Sequence, residues 1–147
     1  MTIRPLDTAD AAAYQRLRLL ALRESPTAFS ASYEEEVGRP LDDVAARIAP
    51  AKDGSICMLG VFVRDELAGF VAIVRPQRAK LRHAVELAGM YVAPAHRRRG
   101  LGRALLDAAI AMRLLARHVC LQGASGFAAP DPAHGAHRSG EALQPFF

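Results

Sequence analysis

The chain has 147 residues, of which 51% are hydrophobic and 23% charged, with a formal net charge of +4 at neutral pH. That length holds one domain with a core of its own, and the composition is that of a globular protein rather than a low-complexity or fibrous one. No apolar run is long enough to span a bilayer and no apolar signal region follows Met1, so the expectation is a cytoplasmic protein with no membrane partner.

Thr2 to Leu6 reads as a short strand. Asp7 or Thr8 caps the helix that follows, with Asp10 in its first turn. Ala12, Leu17, Leu20 and Ala21 fall near one helical face, while Arg16, Arg18 and Arg23 point away from it. Glu24-Ser25-Pro26 ends this helix, because a residue before proline avoids the helical region. Thr27 to Gly38 carries Phe29, Tyr33 and the acidic run Glu34-Glu35-Glu36. Such a run reads first as a solvated helix face and second as an attractor for an amine. Asp42 to Ile48 forms a second short helix. Asp53-Gly54 marks a turn. Cys57 to Val63 and Leu67 to Arg75 form a hairpin joined through Arg64-Asp65-Glu66. A polar loop runs from Pro76 to His83, and Ala84 to Val92 is the next strand, stopped by Pro94. Gly102 to Arg117 is a long helix with Leu105, Leu106, Ala109, Ile110 and Leu114 on its apolar stripe. Cys57 and Cys120 lie in apolar surroundings and are expected as buried thiols, with no metal-ligand spacing.

The chemistry-bearing stretch is Met90-Tyr91-Val92-Ala93-Pro94, followed by Arg97-Arg98-Arg99-Gly100-Leu101-Gly102-Arg103. A strand ends, an arginine loop follows, and a helix begins at a glycine pair. The start of a helix leaves N–H groups unpaired and carries a positive dipole end. Glycines there let a ligand approach the backbone, and a phosphate or pyrophosphate suits the site. Arginines add charge. No Lys follows either glycine, which excludes a P-loop, and Leu105 stands where a dinucleotide fingerprint needs a small residue. The remaining pattern, R/Q-x-x-G-x-G/A after a strand bearing V-x-P, resembles the coenzyme A signature of the GNAT superfamily of N-acetyltransferases. The element order β-α-α-β-β-β-α-(β) is similar to that family from residue 1 to about 117.

The resemblance implies an α/β (α+β) fold with a mixed, mostly antiparallel sheet flanked by helices. It also implies acetyl-CoA as cofactor and a primary amine of a small molecule or peptide as acceptor. Backbone N–H groups from about Arg98 to Arg103 would cradle the pyrophosphate, with the side chains of Arg97 and Arg99 near the phosphates. Met90, Tyr91 and Val92 would lie along the pantetheine arm, the backbone of Met90 and Val92 pairing with it. An N–H in that stretch would polarise the thioester carbonyl. In the same family the region between the first helices forms one wall of the acceptor site.

Glu86 is the candidate general base. Period-2 counting places Glu86, Ala88, Met90 and Val92 on one strand face and Tyr91 on the other. The alternative is an exposed Glu86 paired with Arg75 or Arg82, and His83 is a second candidate base. Tyr91 also reads as core or as packing behind the acceptor wall. The chain carries seventeen arginines and two lysines, partly concentrated at 97–103, where an anionic cofactor accounts for them. No nucleic-acid-binding motif accompanies that charge. Abundant Ala and Arg with no Asn point to a GC-rich, bacterial coding sequence.

Residues 1–122 are therefore expected to form the acetyltransferase-like domain. His118 to Leu121 is a candidate fifth strand, and 123–147 is an irregular tail. The family pattern continues with a helix bearing Asn and Tyr, then a Gly-Phe pair and a hairpin. Here no Asn occurs, no Tyr follows Tyr91, and Gly126-Phe127 has no helix before it. A tail of that kind leaves apolar surface uncovered and invites a homodimer. The alternative function is a non-catalytic acyl-CoA-binding module or a degenerate acetyltransferase.

Overall fold

A computed structural model of the chain describes residues 1–75 and 86–115, with side chains as far as Met112. The expectations for His83, Cys120, Leu114, the fifth strand and the 123–147 tail lie outside these residues. Eight elements are seen: β1 (Thr2–Pro5), α1 (Ala11–Glu24), α2 (Tyr33–Val37), α3 (Leu41–Ile48), β2 (Ile56–Val63), β3 (Glu66–Val74), β4 (Glu86–Val92) and α4 (Leu101–Leu115). The strands form one antiparallel sheet in the order β1-β2-β3-β4. The β2–β3 turn holds Arg64 and Asp65 at positive φ, the twist that a two-residue hairpin favours. The observed order contains one short helix more than the sequence suggested. Ser32 starts it with a reciprocal cap, its Oγ accepting from the Glu35 N–H while the Glu35 carboxylate accepts from the Ser32 N–H.

The sheet has a cluster on each face. On one side Tyr14, Leu17, Ala21 and Leu22 of α1 and Val44 and Ile48 of α3 pack on Met58, Phe70, Ala72 and Ala88. On the other, Leu101, Leu105, Ala108, Ala109 and Met112 of α4 pack on Ile3, Leu59, Val61 and Val71. Cys57 is buried in β2, as expected.

Two helical faces are rotated from the expected ones. Leu20 is 43% exposed, whereas Tyr14, Gln15 and Arg18 are buried. On α4, Ile110 is 49% exposed and Ala108 takes its place against the sheet. Both helices are so rich in Ala and Leu that more than one apolar stripe can be drawn along them, and the sheet selects one. Arg18 turns inward because its guanidinium stacks on Phe29.

The acidic run is not a solvated face throughout. Glu36 is 1% exposed. Its carboxylate accepts from Arg39 Nε at 3.0 Å and from Arg47 Nη1 at 2.9 Å. Its carbonyl accepts from Gln15 Nε2 at 2.7 Å. One residue thus ties α1, α2 and α3 together. Burial alone would raise the Glu36 pKa, but the two arginines outweigh it and hold the carboxyl below its ordinary value.

Candidate cofactor and active site

β4 carries a bulge that decides what each of its residues faces. Val71 pairs with Met90 and Ala72 with Ala88, which leaves Gly89 without a partner at φ +71. An extra residue in one strand reverses the alternation beyond it. The pattern therefore departs from simple period-2 counting. Ala88 and Tyr91 lie with the α1-side cluster, while Leu87 and Val92 lie with the α4-side cluster. Met90 also faces α4, since its Cε is 4.0 Å from where a Cβ on Gly102 would stand. Glu86 is opposite Val74, a residue packed on the α1-side cluster. Glu86 and Tyr91 thus share a face, and Met90 and Val92 occupy the other.

Backbone direction completes the edge. The Ala93 N–H donates to Ala68 O at 2.8 Å, toward β3. Alternation then points the N–H and C=O groups of Met90 and Val92 away from β3. Among the described residues no strand lies beyond that edge. Arg97 Nε donates to Val92 O at 2.9 Å, which leaves the Val92 N–H and both groups of Met90 facing outward.

Beyond the strand, a turn at Pro94–His96 leads into the arginine loop. Arg98 and Gly100 both have positive φ, so the chain bends sharply into α4. The Ala104 N–H donates to Gly100 O at 2.9 Å, and the N–H groups before it belong to the first turn, where no carbonyl of the helix is available to them. A Cβ on Gly100 would meet nothing within 4 Å, and one on Gly102 would meet only Val92 at 3.9 Å and Met90 at 4.0 Å. The two glycines therefore border open space between the strand end and the helix start. A phosphate chain lying there would meet backbone donors without a side chain in the way. The residues fit a pyrophosphate.

The loop arginines do not all serve that space. Arg97 is bound bidentately to Glu24, Nη1 to Oε1 at 2.8 Å and Nη2 to Oε2 at 2.6 Å. The Tyr91 hydroxyl donates to the same carboxylate. The expected reach of the Arg97 side chain to phosphates is thus replaced here by a tie between the loop and the end of α1. Burial and the acceptor Glu24 push the Tyr91 phenol up to about 12, so it keeps its proton through the neutral range. Arg98 and Arg99 are exposed, and Arg103 is exposed beside Asp107 at 3.9 Å.

Glu24 was legible only as the last residue of a helix. Its partners stand 67 and 73 residues away, and no local pattern announces such a contact. Glu86 is exposed at the start of β4. On its side of the sheet, a cavity of about 530 Å³ opens between α1 and α2, lined by Leu22, Arg23, Phe29, Tyr33 and Glu34 among others. Phe29 reaches from that cavity to the bulge, with its Cε1 3.5 Å from the position of a Gly89 Cβ.

Comparison with known proteins agrees with this geometry. The model of the acetyltransferase (GNAT) family matches residues 15–134. A mycothiol acetyltransferase of Mycobacteroides abscessus is 36% identical over 77 residues, 52% of this chain and 23% of that relative. Among solved structures, a ribosomal-protein-alanine N-acetyltransferase of Brucella melitensis superposes with TM-score 0.65 at 21% identity, over 79% of this chain and 68% of the other. A PaiA N-acetyltransferase of Thermoplasma acidophilum in complex with coenzyme A gives 0.61 at 17% identity, over 78% and 72%. At these identities the superpositions speak to fold. The family match covers most of the chain, and with the bulged strand edge and the glycine-bordered helix start it places this protein in the GNAT acetyltransferase family.

Proposed function

We propose that the protein moves an acetyl group from acetyl-CoA to a primary amine of a small molecule or peptide. The observation that carries this reading is the outward edge of β4 at Met90 and Val92, continuous with the open backbone at Gly100 and Gly102. Acetyl-CoA supplies the activated acetyl thioester. The N–H groups from Arg98 to Arg103 hold its pyrophosphate, with Arg98, Arg99 and Arg103 adding charge around them. Met90 and Val92 align the pantetheine arm along the strand edge. An outward N–H of that stretch donates to the thioester carbonyl and stabilises the charge that develops there. Glu86 takes a proton from the acceptor ammonium, directly or through water, and the neutral amine then attacks the thioester carbon, forming the C–N bond as the C–S bond breaks. Water protonates the departing thiolate.

Isothermal titration with acetyl-CoA, followed by a thiol-release assay over a panel of amines, tests the reading. Binding and release are both expected. Binding without release for any amine would assign the chain to the non-catalytic acyl-CoA-binding class, and absence of binding would remove the cofactor assignment.

Glu86→Gln is expected to lower kcat by roughly 10²-fold, the range for loss of a general base, while acetyl-CoA affinity stays within about twofold. The deficit shrinks at high pH, where the amine is already neutral. A pH profile identical to that of the wild type would take Glu86 out of the mechanism.

A further inference from the structure

Glu24 is the last residue of α1, a place where helices disfavour an acid. The negative end of the dipole lies there and favours a cation, such as the neighbouring Arg23. The Glu24 carboxylate is nevertheless fully engaged. Arg97 grips both of its oxygens with parallel bonds, and the Tyr91 hydroxyl donates to one of them. These donors hold the Glu24 carboxyl below its ordinary value, so it is charged throughout the neutral range. The pair is open to solvent, with side-chain exposures of 43% for Arg97 and 31% for Glu24. Ion pairs so exposed add little to folding stability. What this one supplies is geometry.

Every nitrogen of the Arg97 guanidinium has a partner. The two Nη atoms take Glu24, and Nε donates to Val92 O at 2.9 Å. The Tyr91 ring lies against the same group, its centroid 5.4 Å from Cζ. A planar fork held at three points keeps one orientation. Val92 O is the last outward acceptor of β4, because the next N–H, that of Ala93, turns inward to Ala68. An amide-bearing arm laid along this edge needs an acceptor for its own N–H. Of the two outward carbonyls at this end of the strand, Val92 O is capped and the Met90 carbonyl is left.

We propose that Glu24 is a positioning residue for the cofactor: by holding Arg97 across the Val92 carbonyl, it fixes where the pantetheine arm pairs with β4. This rests on the reading of acetyl-CoA as the bound cofactor. Glu24 does not meet the cofactor and acts through Arg97. The tie also commits the Arg97 charge to Glu24, which leaves the phosphates to the other donors of the loop. The arm half of the site therefore depends on Glu24, and the phosphate half does not.

The test compares CoA with 3′-phospho-ADP, which is CoA without its pantetheine arm. Equilibrium binding of each to the full chain is measured by titration calorimetry, beside a melting curve. Wild type is expected to bind CoA roughly tenfold more tightly than 3′-phospho-ADP, as one or two edge hydrogen bonds provide. Glu24→Ala is expected to lose about fivefold of the CoA affinity, while 3′-phospho-ADP stays within about twofold. The melting temperature should stay within about 3 °C, since the pair is exposed. Arg97→Met should show the same split, and the double variant should be no worse than Arg97→Met alone. A ratio of the two affinities that is unchanged in the variants overturns the proposal. So does an equal loss for both ligands, which reports general loosening of the loop. Tighter binding of 3′-phospho-ADP by Glu24→Ala also overturns it, because the freed Arg97 then serves the phosphates. Should Glu24→Ala fail to fold, Arg97→Met decides on the same ratio. Wild type that binds both ligands, with a ratio the variants leave intact, sinks this inference alone. Wild type that binds neither sinks the acetyl-CoA reading.

Discussion

Gly102→Val is expected to weaken acetyl-CoA binding by roughly tenfold or more, the cost of pushing a phosphate off one or two charge-assisted backbone bonds. The fold has room for the change, because a Cβ there meets only Val92 and Met90 at ordinary contact distance. The added methyl groups instead enter the open space beside the first turn of α4. Thermal stability should therefore stay near wild type while affinity falls, and titration calorimetry beside a melting curve separates the two. Gly100→Val makes a useful contrast. Gly100 stands at φ +76 in open space, so valine there carries backbone strain of about 1–2 kcal/mol in addition to any effect on binding. An unchanged affinity in Gly102→Val would overturn the assignment of the loop.

Glu36→Ala is expected to destabilise the protein by about 2–4 kcal/mol, since removing one member of a buried ion network strands the other charges. Arg39 and Arg47 retain some access to water, which keeps the effect from the top of the range. A urea titration should show a lower midpoint with an unchanged slope. Replacing Arg47 by Met in the Glu36→Ala background should recover part of the loss. The pH dependence has a definite sign. The folded-state carboxyl is held below its ordinary 4.5, so its contribution is complete above that value and is lost as pH falls through the lower folded-state value. Wild type should lose stability over that acid range more steeply than Glu36→Ala. Parallel curves for the two proteins would refute the network's role.

Much of the scaffold was legible because its signals are local. Pro26 does stop α1 at Glu24, Asp7 does cap the turn that leads into it, and the Arg64-Asp65 turn does join β2 to β3. The arginine–glycine stretch could be placed between a strand and a helix for the same reason. The less legible features are tertiary. Arg18 and Glu36 look like surface residues until Phe29, Arg39 and Arg47 are brought to them. The pairing of Tyr91 and Arg97 with Glu24 joins segments far apart in the chain. Gly89 is an intermediate case. A lone glycine inside an apolar strand is a known mark of a bulge, and taking it so would have placed Glu86 and Tyr91 on one face from the start.

That bulge has a consequence for how the strand tolerates change in length. Strands are two-sided, and one inserted residue works as a parity bit: it sets whether the two halves of β4 read in phase or out of phase. Glu86 and Tyr91, five positions apart, share a face only because the bit is set. Deleting Gly89 itself would leave every side chain on its face, because Ala88 and Met90 already pair with the consecutive Ala72 and Val71 and would simply become neighbours. Drawing Gly89 into the regular ladder at unchanged length would clear the bit, and would either carry Tyr91 out of the core and away from Glu24 or carry Ala88 and Glu86 to the α4 side. A single-codon deletion at Leu87, by contrast, would act like a frameshift in three dimensions, turning Glu86 to the side of the strand that holds Met90 and Val92 while every remaining residue kept its identity.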